Sequence, residues 1–245
     1  HEGYIKRTTL DTYQAQNRGG RGVQGMTQKD EDFTEEMYVG STHDYMLFLT
    51  NQGRVYRLKG YQVPEGSRTA KGSHIANLLQ LQEGEKVTLM LQQKADVDED
   101  NTYATMITKQ GLIKRTPLSH FRNIRKAGLI AIALNEGDSL VWSHLTKGDD
   151  EIIVATHDGA AIHFTEDDAR AMGRTGHGVR VIKLREGDYV VGAGVCRPGA
   201  TVLTISEEGK GRRSRIDDYR ITKRGGLGIR NYSNGNVAGI KIVDD

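Results

Sequence analysis

The stretch Tyr45-Met-Leu-Phe-Leu-Thr50-Asn51-Gln52-Gly53-Arg54-Val55-Tyr56-Arg57 carries the plan of the whole chain. An apolar, β-favouring run ends on a polar tripeptide closed by glycine, and a second β-favouring run follows. That order reads as a hairpin. It recurs as Tyr103 to Thr108 before Lys109-Gln110-Gly111, as Ile152 to Thr156 before His157-Asp158-Gly159, and as Thr201 to Ser206 before Glu207-Glu208-Gly209. His1-Glu2-Gly3 opens the chain on the same tripeptide. The five turn glycines, 3, 53, 111, 159 and 209, are spaced by 50, 58, 48 and 50 residues. The acidic insertion Ala95 to Asn101 accounts for the longest spacing and reads as a solvated loop.

A second landmark keeps the same phase. Loops close at Gly22, Gly72, Gly128, Gly178 and Gly228, which lie 19, 19, 17, 19 and 19 residues after their turn glycines. Units of about 50 residues built of short strands cannot bury their own faces and must stack on one another. The expected architecture is therefore all-β and radial, a propeller or propeller-like ring. Five four-stranded blades are visible, with repeats near 1–50, 51–108, 109–156, 157–206 and 207–245 in one domain spanning 1–245. A sixth unit is expected to be absent or incomplete. Thr165 to Met172 offers at most one short helical turn. Tyr13, Phe121 and Tyr219, each ten residues after a turn glycine, mark a shared core position, and Trp142 is expected in the core as well.

Composition narrows the classes of function. Glycine makes up 30 of 245 residues, about 12% against a usual ~7%, and only 3 prolines accompany it, which fits many tight turns. A single cysteine, Cys196, excludes a disulfide framework and any multi-cysteine metal site; it reads as a buried inert thiol. The longest apolar run, Tyr45 to Leu49, is too short to span a bilayer. With no initiator Met and no signal peptide, the chain reads as an internal piece of a larger cytoplasmic protein. No catalytic or metal site is expected. Gly20-x-Gly22-x-x-Gly25 matches a dinucleotide fingerprint without the βαβ context it needs. The histidines show no ligand spacing, there is no nucleophile elbow, and the adjacent acids Asp167-Asp168 and Asp217-Asp218 would face opposite ways on a strand.

The loops carry the chemistry. Arginine stands four residues before the closing glycine in four of them, Arg18, Arg68, Arg174 and Arg224, and the third loop offers Arg122, Arg125 and Lys126. Lys71 immediately precedes Gly72. Glycine lets backbone approach a partner, exposed N–H groups in turns attract anions, and the guanidinium fork matches phosphate oxygens. Repeated around a ring, such clamps suit a long polyanion. A further basic residue stands four positions after each turn glycine, at Arg7, Arg57, Arg115, His163 and Arg213. Strict alternation would put these on the core side, so the expectation is a strand running past the core edge or a bulge turning the side chain outward. Acids gather elsewhere, so the net charge of +2 is a sum over segregated regions.

Gln16-Asn17-Arg18-Gly19-Gly20-Arg21-Gly22 resembles the seven-residue box that marks the C-terminal domain of DNA gyrase A, with Asn17 where that pattern usually has a second arginine. The resemblance covers the whole chain. It implies a β-pinwheel, a disc whose neighbouring blades exchange strands, usually six of them. It implies double-stranded DNA as partner, bent and chirally wrapped around the outer rim, within an A2B2 complex with the N-terminal region of gyrase A and with gyrase B. ATP and Mg would belong to that parent complex, which supercoils DNA; no cofactor is expected in this chain. The expected DNA contacts are Gln16, Arg18, Gly19, Gly20, Arg21 and Gly22 of the box, with Arg7, Arg57, Arg68, Lys71, Arg115, Arg125, Lys126, Arg174, Arg213 and Arg224 extending the track. Two other readings remain: the C-terminal domain of a topoisomerase IV, bending DNA without strong wrapping, and a protein-binding β-propeller scaffold.

Overall fold

A computed structural model describes residues 3–8, 38–67 and 70–244. Box residues 16–22, Tyr13 and Arg68 lie outside the described residues. The chain runs through β1 (Tyr4–Ile5), β2 (Tyr45–Thr50), β3 (Arg54–Lys59), β4 (Ser73–His74), β5 (Val87–Gln93) and β6 (Tyr103–Thr108). It continues through β7 (Leu112–Pro117), β8 (Leu129–Ile130), β9 (Leu140–Thr146), β10 (Glu151–Thr156), β11 (Ala160–Thr165) and β12 (Val179–Arg180). Last come β13 (Val190–Val195), β14 (Ala200–Ser206), β15 (Gly211–Arg215), β16 (Ile229–Arg230) and β17 (Val237–Asp244). All pairings are antiparallel. The fold is the all-β pinwheel that the repeats lead one to expect.

Each hairpin closes by one local device. The turn glycine's N–H donates to the carbonyl three residues back, Gly53 to Thr50 at 3.0 Å and Gly159 to Thr156 at 3.1 Å. The hydroxyl of that same residue accepts from the first amide beyond the turn, Thr156 Oγ1 from Ala160 N at 3.1 Å and Ser206 Oγ from Lys210 N at 3.1 Å. Gly159 sits at φ +99°, in the left-handed region that favours glycine. The Thr/Ser-x-x-Gly ending of each run is thus a complete turn signal.

The sheets do not follow the repeat boundaries. Their strand orders are β5-β2-β3-β8, β12-β7-β6-β9, β13-β10-β11-β16 and β15-β14-β17, with β1-β4 beside them. In the four-stranded sheets the outermost two-residue strand comes from the following repeat: β8 lies on β3, β12 on β7 and β16 on β11. β4 lies on β1 in the same way. At the other edge, β5, β9, β13 and β17 of successive sheets touch one another. The blades therefore converge on these four strands, and the exchanged strands form the periphery.

The core lies between blades. Leu47, Val55, Met106, Leu118 and Phe121 fill one interface. Ile107, Ile113, Ile152, Val154 and Phe164 fill the next, and Ile153, Val202, Tyr219 and Ile240 the one after. Ile152, Ile153 and Val154 are all fully buried, so both faces of a central hairpin are covered and its strand reads as a continuous apolar run. Phe121 and Tyr219 occupy the shared position ten residues after the turn glycine, both buried. Trp142 is only half-buried and stacks on His144 at 5.9 Å. Cys196 packs against the last interface, and burial pushes its thiol up to about 12, which leaves no reactive thiolate near neutral pH.

The hairpin turns also join neighbouring blades. The Lys109 ammonium lies 4.6 Å from the Tyr189 ring centroid, and that ring stacks on His157 at 4.6 Å. His157 Nδ1 meets Asp158 at 2.9 Å, and Nε2 meets Glu207 of the next turn at 2.9 Å. The Asp158 hydrogen bond, with Glu207 behind it, holds the imidazole above its ordinary range. A raised folded value means that the contribution is complete below about pH 6.5 and is lost as pH rises through the folded value. Partly exposed pairs of this kind contribute about 0.5 kcal/mol. The melting temperature is expected to decline slightly between pH 6 and 9, and His157→Gln to remove that decline. Identical pH profiles for the two proteins would rule the latch out.

Candidate nucleic-acid interface

The periphery is built from three segments, residues 122–130, 172–180 and 222–230. Together they contain eight Arg and Lys residues and no Asp or Glu. Each segment crosses back onto the preceding hairpin before ending in its exchanged strand. The crossing explains the phased glycines. A Cβ on Gly178 (φ +98°) would stand 2.6 Å from the Ile113 carbonyl oxygen, and one on Gly228 (φ +72°) 2.3 Å from that of Ala161. The close approach that these glycines permit is to the chain's own backbone. The sequence expectation that they cradle phosphate is corrected accordingly.

The cations divide into three groups. Arg125, Lys126, Arg180, Lys223 and Arg230 are exposed on the periphery, and none pairs with an acid among the described residues. Only the first two were anticipated. Arg180 and Arg230 each stand two residues after a loop glycine, a phase that could have found them. Arg174 and Arg224 form the second group and are half-buried. Arg174 Nη1 donates to the Ile130 carbonyl at 3.4 Å; Arg224 Nη1 donates to that of Arg180 at 2.9 Å and its Nε to that of Asp168 at 3.0 Å. Both stitch one peripheral segment to the next, so part of the phased-arginine signal is structural. Arg122 is held by Glu99 at 2.7 Å and Asp100 at 3.5 Å, both from the acidic insertion. Lys71 lies 4.0 Å over the Tyr4 ring.

The third group stands four residues after the turn glycines. Neither a bulge nor an overrunning strand is needed to place it. Arg7 Nε donates to the Val63 carbonyl at 2.7 Å. Arg57 donates to those of Phe121 at 3.4 Å and Arg122 at 3.2 Å. Arg115 donates to Ala169 at 2.6 Å, and the His163 ring meets Tyr219 at 2.8 Å. Each acceptor belongs to the 3-10 turn of the next repeat or its flank, so these residues latch blade to blade. Arg115 is corrected outright. It is 4% exposed and ion-paired to the fully buried Glu166 at 2.8 Å, which removes it from any outer track. Arg213, on β15, is exposed.

One cluster among the described residues has metal-like spacing, His157, Asp158 and Asp188. Its atoms are already committed: Asp188 accepts from the amides of Asp158 at 2.9 Å and Tyr189 at 2.8 Å. Among the described residues, no helix is long and apolar enough to cross a membrane.

Fold and periphery together define a strand-exchanged β-pinwheel with a basic, acid-free edge. Comparison with known proteins places it more closely. The DNA gyrase C-terminal domain, beta-propeller, matches as a family at residues 1–39, 44–94, 103–147, 150–197 and 200–244, and the chain belongs to that family. The DNA gyrase A protein of Clostridium acetobutylicum is 51% identical over 180 residues, 74% of this chain and 21% of that protein. That of Halalkalibacterium halodurans is 50% identical over 182 residues, 74% of this chain and 22% of that protein. The chain thus spans about a fifth of the length of these relatives. Among solved structures, the C-terminal domain of DNA topoisomerase IV superposes with a TM-score of 0.82 at 27% identity, covering 100% of this chain and 76% of that one. The DNA gyrase A C-terminal domain superposes at 0.76 with 27% identity, covering 99% and 80%.

Proposed function

We propose that residues 1–245 act as one domain that binds duplex DNA along the basic edge and wraps it chirally, as part of a gyrase that supercoils DNA in an A2B2 complex in the cytoplasm. The observation that carries this reading is the set of five exposed, acid-free cations spread over three peripheral segments. Contacts of that kind hold the phosphate backbone and carry little sequence preference. Bending 20–30 base pairs by 40–90° costs roughly 1–6 kcal/mol, so one clamp cannot hold the curve and several in series can. Box residues Arg18 and Arg21 fix one end of the path, with Gln16, Gly19, Gly20, Gly22 and Arg68 alongside. In this reading the chain supplies DNA geometry, and the ATP- and Mg-dependent chemistry belongs to the parent complex.

A topology assay tests it. The chain is mixed with relaxed plasmid, a type I topoisomerase is added, and linking number is read after protein removal. A protein-dependent shift in the positive sense is expected. Arg18→Ala with Arg21→Ala is expected to abolish the shift while only weakening binding. The likeness to the topoisomerase IV domain supports a second reading, bending without strong wrapping, for which salt-sensitive binding with no shift is the expected result. No binding at low salt overturns both and leaves a protein-binding scaffold.

A further inference from the structure

Two lysines that no part of the wrapping argument uses stand at one repeat position, three residues after a turn glycine. Lys114 on β7 is fully buried. Its ammonium donates to the carbonyls of Ala131 and Arg174, the latter at 2.7 Å. Lys6 is half-buried and donates to the carbonyls of Ser67 at 2.7 Å and Ala70 at 2.8 Å. Both ammonium groups lie beneath a peripheral loop and hold its carbonyl oxygens from behind.

A trans peptide points its N–H away from its C=O. A loop whose carbonyls are drawn inward therefore turns the following amides outward. Above Lys114 that amide belongs to Thr175, which is exposed and donates to no acceptor among the described residues. Above Lys6 it belongs to Lys71. Outward amides with a cation behind them form an anion-attracting concavity. Resting on the DNA-binding reading, we propose that Lys114 and Lys6 are positioning residues for phosphate, which orient the backbone of their loops so that amide N–H groups face the polyanion.

The alternative, that lysine merely fills space here, meets two observations. The same fold takes an apolar residue at this position, since Ile162 stands there one repeat later. Beneath its loop a cleft of about 210 Å³ remains, lined by Ile162, Thr222, Lys223 and Leu227 among others. Tyr56 occupies the position in another repeat and bonds Glu85 instead. An ammonium is also the costlier occupant. Burial, with the nearby Arg174 charge, depresses Lys114 to about 7. Its strand neighbour Arg115 is neutralised by Glu166 and offers no relief. A charged group kept where an apolar one fits is a local conflict of the kind found at functional positions.

Binding of a labelled duplex of about 40 base pairs, titrated at several ionic strengths between roughly 50 and 200 mM, tests the idea. Lys114→Met keeps length and removes charge. It is expected to weaken binding about five- to tenfold near 100 mM salt and to reduce the log–log salt slope by about one, the signature of one lost phosphate. Its melting temperature is expected to hold. Lys6→Met should show the same loss, and serves as the test should Lys114→Met fail to fold. Ile162→Lys, placed in the cleft, is expected to strengthen binding by a similar factor. Affinity and slope unchanged in both methionine variants overturn the proposal. So does a loss of affinity that tracks melting temperature while the slope stays constant. A wild-type chain that does not bind overturns the DNA reading instead, so the two failures are distinguishable.

Discussion

Replacing Arg125, Lys126, Arg180, Lys223 and Arg230 together by glutamine is expected to lower duplex affinity by about four decades near 0.1 M salt. Each phosphate neutralised contributes about 0.9 to the log–log salt slope, hence close to one decade of affinity at that concentration. All five side chains are exposed and none is paired with an acid among the described residues. Their removal therefore leaves no buried partner stranded, and each change should move stability by no more than about 0.5 kcal/mol. The wild-type chain should lose roughly 500-fold in affinity between 50 and 200 mM salt if these five carry the contacts, and the quintuple variant should be nearly flat. A drop below tenfold with the salt slope intact would move the track elsewhere on the disc.

The same reasoning separates charge that is available from charge that is spent. Arg122 and Arg125 are three residues apart on one segment, yet Glu99 and Asp100 neutralise the first and leave the second. Arg174 and Arg224 combine both roles, since a guanidinium that donates to one carbonyl keeps further N–H groups for a phosphate. Net charge says none of this. A value of +2 conceals a periphery with eight basic and no acidic residues in its three segments.

Much of the fold is legible in the sequence because its signals are local. Thr50-Asn51-Gln52-Gly53 and its counterparts specify a turn through one glycine φ and one hydroxyl, all within four residues. The 19-residue phase between turn and loop glycine is equally visible. Strand exchange is not. β8, β12 and β16 have two residues each, too few to show alternation, and their partners lie in the preceding repeat. The phased glycines therefore invite a ligand-based explanation when Ile113 and Ala161 supply a steric one. Arg7, Arg57 and Arg115 mislead for a related reason. Their acceptors are backbone carbonyls of another repeat, and a carbonyl leaves no mark in the sequence. Lys6 and Lys114 are hidden in the same way.

Arg115→Ala should unfold the chain about 10 °C earlier and leave the DNA affinity of the folded protein within twofold. The carboxylate of Glu166 is fully buried and accepts four hydrogen bonds, from Arg115 at 2.8 Å, Thr146 at 2.6 Å, Gly148 at 2.7 Å and Asp150 at 2.9 Å. Arg115 is its one cationic partner among them, and also spans to Ala169 and packs over the Tyr103 ring at 4.4 Å. Deleting the guanidinium strands a buried negative charge, which typically costs about 3–5 kcal/mol. At roughly 2–4 °C per kcal/mol for a chain of this size, the shift is easily read by thermal melting. Arg115→Met combined with Glu166→Gln removes charge from both partners while keeping an acceptor for the two loop amides, so it should recover more than half of the loss. Arg125→Ala supplies the converse, unchanged melting with weakened binding. If Arg115→Ala instead weakens binding tenfold or more without lowering the melting temperature, Arg115 returns to the outer track and the burial argument fails.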